Sequence, residues 1–154
     1  METGPSTAAA SIKIDTPAEV VYDLVTDVAR MGEWSPECVG ADVPAGTTMT
    51  VGATFTGNNA RGDARWSSPC VVVAAERPWL FAFTSGDPDA GTTWTFEVER
   101  IGERASRVTE SFDSIPLRTP ELAEQLSGRH AQLFADLHGT LAALKQVAER
   151  ETES

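Results

Sequence analysis

Residues 92–112, TTWTFEVERIGERASRVTESF, decide how this chain folds. Trp94, Phe96 and Val98 alternate with Thr93, Thr95, Glu97 and Glu99. After the turn signal Ile101-Gly102-Glu103 the alternation resumes, with Val108, Glu110 and Phe112 set against Thr109 and Ser111. Neighbouring side chains of a strand point to opposite faces, so the segment reads as a hairpin with one face towards a core and one towards water. Such a hairpin needs a second layer to cover its apolar face.

Working outward, the same period of two continues from Val39 to Phe112 between turn signals. The expected strand cores are Val39–Val43, Ala53–Asn59, Arg65–Ala74, Trp79–Thr84, Thr92–Arg100 and Ser106–Phe112. A further strand is expected over Ala8–Asp15. Thr16-Pro17 with Glu19 then reads as a capping box that opens a helix with the stripe Val20, Val21, Leu24, Val25 and Val28, ending near Met31-Gly32. Glu33 to Glu37 suggests a second short helical turn and a loop, since Pro36 disfavours helical geometry at Ser35. At the other end Leu122, Leu126, Leu133, Leu137, Leu141 and Leu144 share one face of an amphipathic helix expected from Pro120 to Ala148. A coiled-coil seam is the rival reading of those leucines. The expected fold is α+β: a curved seven-stranded antiparallel sheet wrapped around a long C-terminal helix, with two short helices between strands 1 and 2.

The 154 residues suit one domain, expected over 8–148, with a disordered N-terminus at 1–7 and a charged tail at 149–154. Hydrophobic residues make up 41% and charged residues 23%, a globular composition. A net charge of -11 with no Lys/Arg cluster argues against nucleic acid and anionic membranes, and fits an uncharged or cationic organic ligand better than a polyanion. No run approaches the ~20 apolar residues of a membrane span. Glu2 stands where a signal peptide wants a positive charge. Cys38 and Cys70 form no Cys-x-x-Cys pair and read as buried thiols of a reducing compartment, so the cytoplasm is expected.

The inward strand rows are Phe55-Gly57-Asn59, Trp66-Ser68-Cys70-Val72, Phe81-Phe83, Trp94-Phe96-Val98 and Val108-Glu110-Phe112. Trp66 and Trp94 form an aromatic wall, and Gly57, Ser68 and Ser85 leave volume beside it, which suits a ring-bearing ligand. Glu110 is the sharpest signal, because a charged carboxylate in such a row is costly without a partner. It reads either as a polar hook or general acid/base in a cavity, or as an ion-pair partner of Arg61, Arg65 or another basic side chain at the sheet rim. Asn59 either orients a ligand or caps the turn at Arg61-Gly62. His130 shares the helix face of Leu126, Leu133 and Leu137, and reads as a pocket residue or a satisfied core histidine. The expected ligand-binding set is Trp34, Phe55, Asn59, Trp66, Phe83, Trp94, Phe96, Glu110, Phe112, His130, Leu133 and Leu137. The spacing of His130, His138, Cys38 and Cys70 suits no metal. The sequence carries no nucleophile elbow, phosphate loop or dinucleotide fingerprint, so no cofactor is expected.

Ile14-Asp15-Thr16-Pro17-Ala18-Glu19-Val20-Val21-Tyr22, Trp34-Ser35-Pro36-Glu37, Val51 to Asn59, Trp66, Phe81-Ala82-Phe83, Thr93-Trp94-Thr95-Phe96 and Arg107-Val108-Thr109-Glu110-Ser111 together resemble the START-type, polyketide-cyclase-like (SRPBCC) superfamily, in particular its small actinobacterial branch. The resemblance runs from about Ala8 to Ala148 and implies the helix-grip fold around a hydrophobic cavity. Members bind lipids, sterols, hormones or polyketides, and only some are cyclases or aromatases, so fold alone does not choose among these activities. The cyclase members use polar and basic side chains deep in the pocket, whereas the inward rows here offer no Arg or Lys. The leading expectation is therefore a binding, transport or sequestration protein for a small hydrophobic, ring-containing molecule, as a monomer or homodimer. The alternatives are a polyketide cyclase or dehydratase-like enzyme with Glu110 or His130 as general acid/base, and an interaction protein whose cavity is vestigial.

Overall fold

The computed structural model describes residues 6–119, 121, 124 and 128–153. Seven strands, β1 (Thr7–Ile14), β2 (Cys38–Asp42), β3 (Thr54–Arg61), β4 (Ala64–Glu76), β5 (Leu80–Ser85), β6 (Thr92–Gly102) and β7 (Ala105–Ser114), form one sheet in the order β1-β7-β6-β5-β4-β3-β2. Every pairing is antiparallel. A helix α1 (Ala18–Val25) and a 3-10 turn (Val28–Glu33) join β1 to β2, and the chain closes with the long helix α2 (Arg129–Glu153). The sheet curves around α2 in the helix-grip arrangement that the alternating pattern predicts.

The hairpin at residues 92–112 sets the inward rows. Trp94 faces Phe112, Phe96 faces Glu110 and Val98 faces Val108 across β6 and β7, so a single register carries the apolar side chains and Glu110 to one face. Leu133, Leu137, Leu141 and Leu144 of α2 are all buried. Leu141 and Leu144 join Ile14, Val21 and Val25 in the main core, while Leu133 and Leu137 pack with Phe112 and Leu117 in a second cluster. Each such leucine stabilises the fold by about 1.5–3 kcal/mol through leaving water. The leucine face is therefore spent on its own sheet.

Several expectations need correction. The C-terminal helix does not run unbroken from Pro120: Gly128 has φ +83, outside helical geometry, and α2 starts at the next residue. Leu122 and Leu126 lie outside the described residues. Of the expected charged tail, residues 149–153 belong to α2, which continues to Glu153. Glu149 accepts the Asp15 backbone N–H at 2.8 Å, and Arg30 donates to Glu151 at 2.5 Å, so the charged end is pinned to the β1–α1 and 3-10 segments. At the other terminus β1 begins at Thr7, one residue early.

Thr16 does not cap α1. Pro17 occupies the N-cap position, its carbonyl accepting the Val20 and Val21 N–H groups at 3.1 Å, and no side chain caps the helix. Thr16 is instead buried, with its carbonyl accepting the Ser106 hydroxyl at 2.5 Å and its hydroxyl meeting Thr152 at 3.2 Å. Helix α1 ends at Val25, and Val20 is largely exposed. Gly32, in the 3-10 turn, lets that turn pack on β2: a Cβ there would lie 2.4 Å from the Val39 carbonyl oxygen.

Candidate functional site

A cavity of about 230 Å³ lies between the inward strand rows and α2. Trp34, Phe55, Phe83, Trp94 and Phe96 supply its aromatic wall, and Trp66 lines it from a half-open position on β4. Phe55 and Phe83 meet edge to face with centroids 5.3 Å apart, a favourable quadrupole geometry that fixes both rings. Gly57, Ser68 and Ser85 also line the space, and their small side chains are what leaves it open.

Helix α2 contributes Arg129, Leu133, Asp136 and Thr140. These are spaced i, i+4, i+7 and i+11, so they form one stripe along the helix. Arg129 donates to both carboxylate oxygens of Glu37, Nη1 to Oε1 at 2.7 Å and Nη2 to Oε2 at 2.9 Å. Arg61, at the end of β3, donates through Nε to Glu37 Oε1 at 3.0 Å and through Nη2 to Asp136 Oδ2 at 2.5 Å. The result is a four-membered network linking β3, the segment before β2 and α2. Desolvation pushes the Glu37 carboxyl up, but hydrogen bonds and charges from Arg129 and Arg61 outweigh it and hold the group below its ordinary range. Asp136 is shifted upward, mainly by burial, which the Arg61 charge only partly offsets.

Glu110 stands apart from that network. It is buried, and among the described residues its Oε1 has no hydrogen-bond partner. Burial first, and the charge of Asp136 second, push its carboxyl well above the ordinary range, favouring the neutral acid. The ion-pair reading of Glu110 is not what the fold adopts: Arg61 serves Glu37 and Asp136, and Arg65 Nη1 donates to the Gly62 and Ala64 carbonyls. A buried acid in this form offers one O–H donor and one acceptor to whatever enters the cavity.

Of the residues expected from sequence, Trp34, Phe55, Asn59, Trp66, Phe83, Trp94, Phe96, Glu110 and Leu133 line the cavity. Asn59 pairs with Trp66 across β3 and β4 and lines the cavity, and among the described residues its amide donates to the Gly57 carbonyl alone, at 3.5 Å, and not to the turn. Phe112, His130 and Leu137 do not line it. Phe112 packs its ring against Trp94 and His130, both at 5.6 Å, and Leu137 is fully buried in the second core cluster. His130 Nε2 lies 3.1 Å from the Thr7 carbonyl, with the ring between Phe112 and Phe134, so this candidate for a general acid/base, the alternative to Glu110, does not line the cavity. One residue along a helix is a rotation of about 100°, and that rotation separates His130 from Arg129.

Arg129, Asp136, Glu37, Cys38 and Cys70 also line the cavity and were not in the expected set. The i, i+7 pair Arg129 and Asp136 on either side of Leu133 was the available signal. Burial pushes both thiols up, Cys70 to about 11, so neither is a ready nucleophile. Among the described residues no group of three or more His, Cys, Asp or Glu side chains is arranged to hold a metal ion, and no helix is long and apolar enough to cross a membrane.

Residues 6–149 match the sequence model of the family described as polyketide cyclase / dehydrase and lipid transport. No curated protein matches the sequence. Among solved structures, a polyketide-cyclase-like protein of Corynebacterium glutamicum is 28% identical, covering 96% of this chain and 93% of its own, with a TM-score of 0.61. A START superfamily protein of Mycobacterium smegmatis shares the fold at 14% identity and TM-score 0.66, over 94% of this chain and 97% of that one. The Zhui aromatase/cyclase of a Streptomyces species does so at 14% identity and TM-score 0.65, over 95% and 94%.

Proposed function

The chain belongs to the polyketide cyclase/dehydrase and lipid transport family, and from that premise we propose that it binds a small, ring-bearing, largely hydrophobic molecule in the cavity between its sheet and α2. The observation that carries this reading is the pairing of an aromatic wall with a buried carboxyl, Glu110, whose Oε1 has no hydrogen-bond partner among the described residues. An unmet polar atom in a core costs about 1–3 kcal/mol, and a ligand group that meets it recovers part of that. At about 230 Å³ the cavity is smaller than the ~300–1,000 Å³ usual for small-molecule sites, which favours one or two fused rings over a sterol or a long acyl chain. Trp34, Phe55, Asn59, Trp66, Phe83, Trp94, Phe96, Glu110 and Leu133 are the proposed contacts. Free thiols at Cys38 and Cys70 suit the reducing cytoplasm as its place of action.

Native mass spectrometry of the protein purified from its own host tests the reading. A retained small organic mass that is lost in Trp94→Ala supports it. An empty protein whose melting temperature no ring compound shifts would overturn it.

A second reading has one observation in its favour. Glu110 as a neutral acid near the Asp136 carboxyl could protonate a bound carbonyl, as a cyclase or dehydratase step requires. Turnover of a poly-carbonyl substrate that disappears in Glu110→Gln while binding persists would select this reading over simple binding.

A further inference from the structure

Once Glu110 is counted, the carboxyl groups around the cavity outnumber its guanidinium groups. Arg61 and Arg129 are the cations of the network, and both are committed: Arg129 to both oxygens of Glu37, Arg61 to Glu37 and Asp136. Two guanidinium groups thus neutralise two carboxylates. Glu110 is left over, and among the described residues no hydrogen bond or salt bridge joins it to a Lys, Arg or His side chain. An anionic ligand would find no spare cation here and two carboxyl groups, Glu110 and Asp136, close by. A cation finds the opposite: one carboxyl with no cation of its own, free to ionise against it, inside walls made of Trp34, Trp94, Phe55, Phe83 and Phe96, whose ring faces attract positive charge.

Building on the ligand-binding reading above, we infer that the cavity takes a ring-bearing amine as its ammonium cation, with the positive charge seated on Glu110 and the ring held by the aromatic wall. The overall charge of -11 steers such a cation towards the protein from a distance. In the empty cavity, burial and the neighbouring Asp136 favour the neutral acid at Glu110. When the ammonium enters, the Glu110 O–H releases its proton to solvent and the carboxylate takes the N–H groups, so the buried pair stays neutral in sum. The groups that face this exchange are Asp136 and Arg129 on α2, with Glu37 and Arg61 behind them, and the two cavity thiols stay protonated throughout. Binding therefore strengthens with rising pH until either Glu110 is ionised in the free protein or the free ammonium loses its own proton.

Three probes of one shape and different charge test this: naphthylmethylamine, naphthylmethanol and naphthoate, titrated calorimetrically at mildly alkaline pH. The amine should bind about tenfold more tightly than the alcohol, with naphthoate weakest, and should release protons as judged from two buffers of different ionisation enthalpy. Glu110→Gln should erase the amine's advantage while keeping alcohol binding, which also reports an intact cavity. An alcohol or acid that matches the amine in the unmodified protein overturns the charge assignment alone, as does an amine advantage that survives Glu110→Gln. If none of the three binds, the ligand-binding reading falls and this inference falls with it.

Discussion

Arg129 grips Glu37 with both terminal nitrogens, at 2.7 and 2.9 Å, and so ties the first turn of α2 to the segment that leads into β2, 92 residues away in sequence. Because Arg61 shares the same carboxylate, one side chain joins three elements beside the cavity. Replacing Glu37 with Ala leaves two partly buried guanidinium groups without their acceptor and should cost about 2 kcal/mol in urea denaturation. The loss should depend on pH. Glu37 titrates below the ordinary 4.5 in the fold, so its contribution is fully present above that value and disappears as pH falls through the lower folded-state value. A variant as stable as the parent at neutral pH would show that the network contributes nothing.

Glu110 should show the opposite sign. Its carboxyl keeps its proton in the fold above the pH at which the unfolded chain loses it, so between the ordinary 4.5 and the raised folded-state value stability falls with rising pH. Glu110→Gln removes that fall. The variant should match the parent in mildly acidic denaturation curves and exceed it at neutral pH. Equal stabilities at every pH would mean the carboxyl is not desolvated.

Gly32→Ala should be destabilising by about 2 kcal/mol or more, because its Cβ would sit 2.4 Å from the Val39 backbone oxygen and the backbone must move. The displacement reaches Trp34 two residues on, so the loss of stability should come with a changed indole fluorescence. A neutral substitution would mean the 3-10 turn has slack there.

Trp94→Ala should cost about 3 kcal/mol and remove one wall of the cavity together with its contact to Phe112. Affinity for naphthylmethanol should drop beyond what the lower stability explains. Unchanged affinity in the folded variant would exclude Trp94 from the binding wall.

The strands were legible because period two over residues 92–112 fixes both faces at once: with Trp94 and Phe96 inside, Glu110 must be inside too, as its register with Phe96 shows. The helix was harder. A leucine stripe says that a face is buried without saying which edge of it meets the cavity, and α2 turns Arg129, Leu133, Asp136 and Thr140 inward while His130 packs beside β1. Arg61 and Glu37 were illegible for another reason. Their partners lie 75 and 92 residues away, and no local pattern encodes an ion pair at that range. Thr16 does not cap because the helix starts one residue later, with Pro17 at the N-cap position, and the Thr16 hydroxyl accepts from Thr152 instead.

The four tryptophans offer the most direct test that the cavity is the binding site. Trp34, Trp66 and Trp94 line it, whereas Trp79 lies exposed just ahead of β5 and away from it. In a nitrogen-15 NMR titration with naphthylmethanol, chosen because its binding does not depend on ligand charge, the indole N–H resonances of Trp34, Trp66 and Trp94 should shift together and saturate at one equivalent while Trp79 stays in place. Movement of Trp79 alone, or no movement of the three at saturating probe, would contradict the account.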